Sequence, residues 1–205
     1  MKTILILCCL FLSAGSYAQP TAQPKADTSH SSPVKDSVIY WNSSHRLGFE
    51  DFQGTPAIED TSLRTLNFTT LTHKLGSVTT SVYVQIKKEK GKTLFTVYAS
   101  MKKNQSWIKD VGDLITLKHE QGHFDICEVY ARLLRQELKK AQSIAEAKDI
   151  YNKVATEEEA EQAAYEKDNT FEAGGITTEW QKKIERRLKE MAEYGEPVVV
   201  LPFEK

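Results

Sequence analysis

Two histidines four residues apart flank a glutamate in the segment His119-Glu120-Gln121-Gly122-His123. On an α-helix, side chains at positions i and i+4 share one face, so both imidazoles can reach a single metal ion. The carboxylate of Glu120 then faces the same cavity, where it can act as a general base on water. The spacing therefore predicts a zinc-activated hydrolase with His119 and His123 as ligands and Glu120 as the catalytic base.

The sequence around the motif predicts the helix that this chemistry requires. Residues 111–140 contain no proline, and apolar residues recur there at three- and four-residue steps: Val111, Leu114, Ile115, Ile126, Tyr130, Leu133 and Leu134. His119 falls on the same stripe, so we expect the motif to face the interior. The alternative is a pair of hydrogen-bonded core histidines beside an ordinary helix carboxylate. Burial of an unpaired carboxylate is unfavourable unless a cation compensates it, which favours the metal site.

Alternating apolar residues predict strands in the first half of the chain. The alternation runs through residues 78–86 and again through residues 95–101, on either side of Lys90-Gly91-Lys92, which indicates an antiparallel hairpin. Residues 66–71 and 38–41 are weaker candidates for two further strands. All four segments are interpreted as scaffold.

The second half of the sequence predicts helices. Ser143-Ile144-Ala145-Glu146 has the form of a capping box and should start a helix that ends near Lys167. Thr178-Glu179-Trp180-Gln181 has the same form and should start a last helix through about Tyr194. Residues 168–177 are expected to form a loop. Strands followed by helices indicate an α+β domain.

The N-terminus has the features of a secretory leader. Lys2 is followed by an apolar run and then by Ser16-Tyr17-Ala18, which predicts a signal peptide over residues 1–18. This run is too short to span a bilayer as a helix, so no membrane span is expected. Residues 19–37 are rich in Pro, Ser, Thr and charged residues and are interpreted as a flexible tether to one domain over residues 38–205. We expect a secreted or periplasmic protein in which Cys127 is a lone, buried cysteine.

The charge balance excludes some classes of partner. The full chain has 27 Lys and Arg against 28 Asp and Glu, and loss of Lys2 with the leader leaves 26 against 28. A nearly neutral chain is not expected to bind nucleic acid or an anionic membrane as its main partner. The sequence does not predict an oligomeric state.

Three blocks of sequence accompany the motif. They are Trp41 with Leu47-Gly48-Phe49-Glu50-Asp51-Phe52-Gln53-Gly54-Thr55-Pro56; Ser106-Trp107 with Leu117-Lys118-His119-Glu120-Gln121-Gly122-His123-Phe124-Asp125-Ile126, Glu128, Ala131 and Arg132; and Gln162, Tyr165, Thr170, Trp180 and Ile184. Together they resemble a bacterial family of predicted secreted zinc-dependent proteases, long classified as a domain of unknown function. The resemblance implies an antiparallel sheet followed by a zincin-like helical half with the metal-binding helix. It also implies a Zn²⁺ cofactor and a protein or peptide substrate.

The third metal ligand is not fixed by this resemblance. The closing motif of the family has Tyr-Asp, then Thr, then His-Gly, whereas this chain lacks the histidine and has Gly174-Gly175. His45 and His73 are the remaining candidates for a nitrogen ligand, because His30 lies in the tether. Among the acids, Glu166 follows Tyr165 as the family's Asp does, and Asp168 opens the expected loop. These two acids are equal candidates, and Glu172 ranks behind them.

Further residues receive weaker assignments, and two other functions stay open. Asp125 or Glu128 could orient a ligand histidine, and Tyr165 could donate to a developing oxyanion. An envelope binding or scaffolding module of the same fold that has lost turnover is the main alternative to an active enzyme. A zinc hydrolase acting on a non-peptide amide, such as a cell-wall crosslink, is the other.

Overall fold

The computed structural model describes residues 5–6, 37–56, 75–169 and 175–201 of the 205-residue chain. Within these ranges an antiparallel sheet precedes three helices, so the predicted α+β class is confirmed. The predicted strand over residues 66–71 lies outside the described residues, as do the tether up to residue 36, His30, His73 and Glu172. None of the helices in the described ranges combines the length and apolar character needed to cross a membrane.

The strands of the described chain belong to two sheets. In chain order they are β1 (Leu5–Ile6), β2 (Val38–Tyr40), β3 (Gly76–Ser77), β4 (Thr80–Glu89), β5 (Lys92–Lys102), β6 (Trp107–Ile108) and β7 (Val198–Leu201). The predicted hairpin is β4 and β5, with Val84 opposite Val97. β2 and β7 pair with the other edge of β5, and β1 pairs with β4. The ladder of β3 with β6 was not predicted, because two-residue strands carry no readable alternation.

The three helices are α1 (Leu114–Leu138), α2 (Ile144–Asp168) and α3 (Thr178–Glu190), and short three-ten turns cover Phe49–Asp51, Lys103–Gln105 and Ala192–Tyr194. Ser143 caps α2 by accepting a hydrogen bond from the Glu146 amide, as its sequence predicts. The predicted cap of the last helix was wrong by one residue. Thr177 rather than Thr178 accepts the capping bond, from the Trp180 amide.

α1 packs across the sheet and forms the centre of the core. Its buried apolar residues meet the inward face of β5, and the main contributors are Phe95, Val97, Ala99, Met101, Phe124, Ile126, Cys127, Ala131, Leu134 and Leu138. Cys127 is buried in this core, as expected from the sequence. The prediction that Val111, Leu114 and Ile115 are buried was wrong, since they expose 78, 62 and 45% of their surface. Val111 precedes the Asp113 cap, and the other two precede Thr116, the first buried residue of α1.

A carboxylate on α2 forms hydrogen bonds with side chains of both other helices. Glu161 accepts hydrogen bonds from the Tyr130 hydroxyl of α1 and from Arg187 of α3, and Lys183 lies 2.9 Å away. Burial alone would raise the pKa of the Glu161 carboxyl, but these donors outweigh burial and lower it. The ionised carboxylate is therefore the form that stabilises the fold.

We predict that Glu161→Gln lowers the free energy of unfolding at pH 7 by about 1–3 kcal/mol, the size expected for hydrogen bonds to a charged group. Because the folded-state pKa is lowered, the Glu161 contribution is complete above pH 4.5 and is lost as the pH falls below that value. Urea unfolding of both proteins from pH 7 to pH 3 should therefore show a difference that shrinks on acidification.

The matched control is Glu157→Gln on the same helix, where the carboxylate is half exposed and only 3.9 Å from Lys153. Such a pair contributes less than about 1 kcal/mol, so this variant should unfold nearly as the parent does. A Glu161→Gln difference that stays constant from pH 7 to pH 3 would contradict the assignment of the ionised form.

Candidate metal centre

Two imidazoles and a carboxylate converge between α1 and α2. The Nε2 atoms of His119 and His123 lie 3.1 Å apart, and Glu166 Oε2 lies 3.0 Å from the first and 3.1 Å from the second. Within the described ranges these residues form the one group of three potential ligands close enough to share an ion. The structure thus brings Glu166, one of the two leading candidates for the third position, to both histidines of the motif.

The geometry follows from two antiparallel helices with matching spacing. His119 and His123 are one turn apart on α1, and Gln162 and Glu166 are one turn apart on α2. Because the helices run in opposite directions, His123 meets Gln162 while His119 meets Glu166. The short connection from Leu138 to Ser143 places α2 directly beside α1 in this antiparallel arrangement.

Hydrogen bonds on the far side of each ring fix which nitrogen faces the cluster. His119 Nδ1 donates to the carbonyl of Gly175 at 2.7 Å. His123 Nδ1 donates to Gln162 Oε1 at 2.6 Å, and Gln162 Nε2 donates back to the His123 carbonyl, which fixes the orientation of the amide. With hydrogens on both Nδ1 atoms, the neutral rings present their Nε2 lone pairs to each other and to Glu166.

Three electron-pair donors about 3 Å apart repel one another unless a positive charge lies among them. Burial disfavours a charged His119, yet the protonated ring can donate hydrogen bonds to Glu166 as well as to Gly175, and these raise its pKa above the ordinary value. The same histidines hold the pKa of Glu166 far below its usual range, so this acid is ionised at neutral pH. The cluster therefore favours a positive charge at its centre, which a proton on an imidazole or a metal ion can supply.

Glu120 lies beside this cluster and faces the same cleft. Only 3% of its surface is exposed, and burial raises the pKa of its carboxyl, while the Val78 amide donates a hydrogen bond to it. The cleft has a volume of about 410 Å³ and is lined by residues 76–80 of the chain together with His119, Glu120, His123, Gln162 and Glu166. A buried carboxylate with access to a cleft can exchange a proton with a molecule bound there.

Gly122 allows α2 to approach α1 at the level of the cluster. A Cβ atom at this position would lie against the Tyr165 hydroxyl and 2.6 Å from Tyr165 Cζ, inside van der Waals contact. Tyr165 is fully buried, and its hydroxyl donates to the carbonyl of His119 at 3.0 Å. This hydroxyl, a candidate oxyanion donor from the sequence, is therefore engaged by the backbone, and Tyr165 does not line the cleft. Burial raises the pKa of its phenol.

The other predicted residues lie elsewhere. Asp168 accepts a hydrogen bond from Trp180 Nε1, because α2 continues to Asp168 and turns its side chain away from Glu166. Asp125 accepts hydrogen bonds from Trp41, Arg46 and Gln121 rather than from a histidine of the motif.

Glu128 and His45 also have partners away from the cluster. Glu128 forms buried ion pairs with Arg132 and Arg135. His45 lies 3.6 Å from Asp51. Neither belongs to the group that could hold a metal, so no third histidine from the described residues joins the two of the motif.

Three participants in the site were missed as such by sequence reasoning. Gln162 carries a readable signal, because it lies one turn before Glu166 on a predicted helix, as His119 lies one turn before His123. The carbonyl of Gly175 and the amide of Val78 carry none, since a backbone group has no sequence identity. Gly175 has a φ of 82°, and a Cβ there would lie 2.6 Å from the Ile115 carbonyl oxygen, so glycine is required to bring this carbonyl to His119.

Comparisons of the chain with protein-family models, curated proteins and solved structures found no match.

We predict that Gly122→Ala destabilises the protein by about 1–2 kcal/mol although alanine is the better helix former. Overpacking against Tyr165 should cost about 1–3 kcal/mol, which exceeds the helix-propensity gain of at most about 1 kcal/mol. Urea unfolding measures the change, with Lys118→Ala at an exposed position of α1 as the control. A Gly122→Ala protein as stable as the parent would show that the two helices do not meet closely at this glycine.

Proposed function

We propose that this protein is a secreted zinc-dependent metallohydrolase, specifically a peptidase with a zincin-like helical half. The observation that carries the proposal is the meeting of three lone-pair donors, from His119, His123 and Glu166, within 3.1 Å of one another beside a buried acid in an open cleft. Two imidazoles and a carboxylate form a known donor set for catalytic zinc, which leaves a fourth position for water.

The spacing of the donors fits a tetrahedral ion. Ligands at about 2.0–2.1 Å from zinc lie about 3.3 Å from one another in a tetrahedron, so separations of 3.0 and 3.1 Å need to widen by only a few tenths of an ångström. Glu166 is half exposed at the end region of α2, which leaves its side chain free to make that adjustment. The hydrogen bonds that the rings donate to Gln162 Oε1 and to the Gly175 carbonyl hold them in the orientation that a metal would require.

The chain's own residues supply the remaining chemistry. Zinc bound here would lower the pKa of a coordinated water to about 7 and polarise the substrate carbonyl. Glu120 accepts a proton from the attacking water and donates it to the nitrogen of the leaving amine. The amide of Val78 holds the Glu120 carboxylate in place, and residues 76–80 line the cleft along which the substrate would lie.

The sequence supports the location and the type of substrate. A cationic start, an apolar run and Ser16-Tyr17-Ala18 favour export and removal of a leader. The resemblance to predicted secreted zinc-dependent proteases, together with the nearly neutral charge, favours a peptide over a nucleic acid. Glu166 follows Tyr165 at the point where that family has an acid, which supports its role as third ligand.

The test of the proposed base is Glu120→Gln in purified, zinc-loaded protein. We expect about one equivalent of zinc to be retained while peptide hydrolysis falls by about a hundredfold to ten-thousandfold, the usual contribution of a general base. Metal analysis and peptide turnover are measured on the same sample. Unchanged turnover excludes Glu120 as the base, and a parent protein that folds normally without binding zinc would favour the envelope binding module instead.

A matched pair of variants tests the third ligand. Glu166→Gln should weaken zinc binding by more than the tenfold to hundredfold caused by loss of a supporting hydrogen bond, whereas Asp168→Asn should leave the affinity unchanged. Both changes remove one carboxylate from the same end of α2, and the asparagine oxygen can still accept from Trp180. Titration against a chromophoric chelator measures both affinities. Equal losses in the two variants would contradict the assignment of Glu166.

A further inference from the structure

A second cavity lies beside the cleft that contains the candidate metal ligands. It has a volume of about 380 Å³ and lies between β4 and α2, with α1 beneath. Its walls carry Val82, Tyr151 and Ala155, and its floor is formed by Leu134 and Val154, of which 0 and 3% is exposed. Five of the ten residues that line it are apolar or aromatic, and they offer a substrate group a surface away from water.

This cavity is adjacent to the metal cleft. Thr80 of β4 and Gln162 of α2 line both of them. Gln162 is the residue whose amide contacts the ring of His123, so the apolar cavity begins one side chain away from a candidate ligand. Successive residues of an extended peptide are less than about 4 Å apart, so a residue next to a carbonyl at the metal can reach the cavity with its side chain.

The charges at the cavity select against acidic groups. Glu158 and Glu159 also line it, with the Glu158 carboxyl largely buried beside Cys127 and Gln162, and none of the described residues that line it is basic. An acidic side chain would meet these carboxylates without a compensating cation, which is unfavourable in a partly buried site. A lysine could pair its ammonium with one of these carboxylates, so lysine is the competing side chain that the binding experiment must separate from Leu and Phe.

On this basis we infer that the cavity between β4 and α2 is the specificity pocket of the proposed peptidase, which takes an aliphatic or aromatic side chain next to the cleaved bond. The inference rests on the proposed function and names its substrate class, namely peptides with a large apolar residue at that position. Val82, Tyr151 and Ala155 then determine the preference, because their side chains form the walls.

A binding experiment tests the pocket without requiring turnover. The probes are N-acetyl dipeptide hydroxamates that differ only in the side chain next to the hydroxamate: Gly, Leu, Phe, Asp or Lys. Calorimetric titration into zinc-loaded protein should show Leu and Phe binding at least about tenfold more tightly than Gly, with Asp weakest. Equal affinities across the series, tightest binding of Lys, or no binding by zinc-loaded protein would each overturn the pocket.

A variant that fills the cavity tests whether the preference for an apolar side chain arises there. Ala155→Phe should lower the affinity for the Leu and Phe compounds at least about tenfold and leave the Gly compound unchanged. Ala160→Phe makes the same substitution at an exposed position of α2 and should change none of them. Ala155→Leu is the smaller replacement if the Phe variant unfolds. A preference that persists in a folded Ala155 variant would contradict the pocket.

The two proposals fail in different ways. A protein that binds the Leu and Phe hydroxamates selectively but hydrolyses no peptide retains the pocket and loses the proposed activity. A protein that cleaves a peptide mixture without any apolar preference next to the cut sites, as read by mass spectrometry, retains the activity and loses the pocket.

Discussion

The close contact between α1 and α2 at Gly122 is the constraint on which the site depends. The ring of Tyr165 fills the space that a side chain at residue 122 would occupy, and its hydroxyl bonds to the carbonyl of His119. This contact fixes both the distance and the register of two antiparallel helices. One residue beyond Tyr165, Glu166 consequently reaches both imidazoles of the motif.

The register of α1 against α2 brings the lone pairs of His119, His123 and Glu166 together. Gly175 and Gln162 each accept the Nδ1 hydrogen of one histidine, so both rings direct lone pairs toward an ionised carboxylate. A positive charge neutralises such an arrangement, and two imidazoles with one carboxylate are a donor set that could hold a metal ion. The fold around the cluster then provides access, through a cleft that reaches Glu120 and lies next to a second, partly apolar cavity.

The sequence predicted the elements better than the contacts between them. The β4–β5 hairpin and the Ser143 cap follow from local patterns, because alternation and capping involve residues close in the chain. To choose between Glu166 and Asp168 as third ligand, one must know where α2 ends, because this decides the direction in which each side chain points. Because the helix continues through Asp168 instead of ending before it, two residues of rotation turn Asp168 toward Trp180 and leave Glu166 toward α1.

Burial at the start of α1 was not predictable from periodicity. A repeat of three and four residues defines a helix face, but a face is buried only where another element covers it. Leu114 and Ile115 continue the stripe yet precede the first covered residue, Thr116, and stay exposed. The contacts of the Gly175 carbonyl and the Val78 amide could not be predicted from the sequence either, since nearly every residue has a carbonyl and an amide.

The most direct test of the account is X-ray absorption spectroscopy at the zinc edge of the purified protein with one equivalent of zinc. We expect four nitrogen or oxygen ligands at about 2.0–2.1 Å, with the outer-shell scattering of two imidazoles. A spectrum with six oxygen ligands and no imidazole scattering would contradict a metal centre formed by His119, His123 and Glu166.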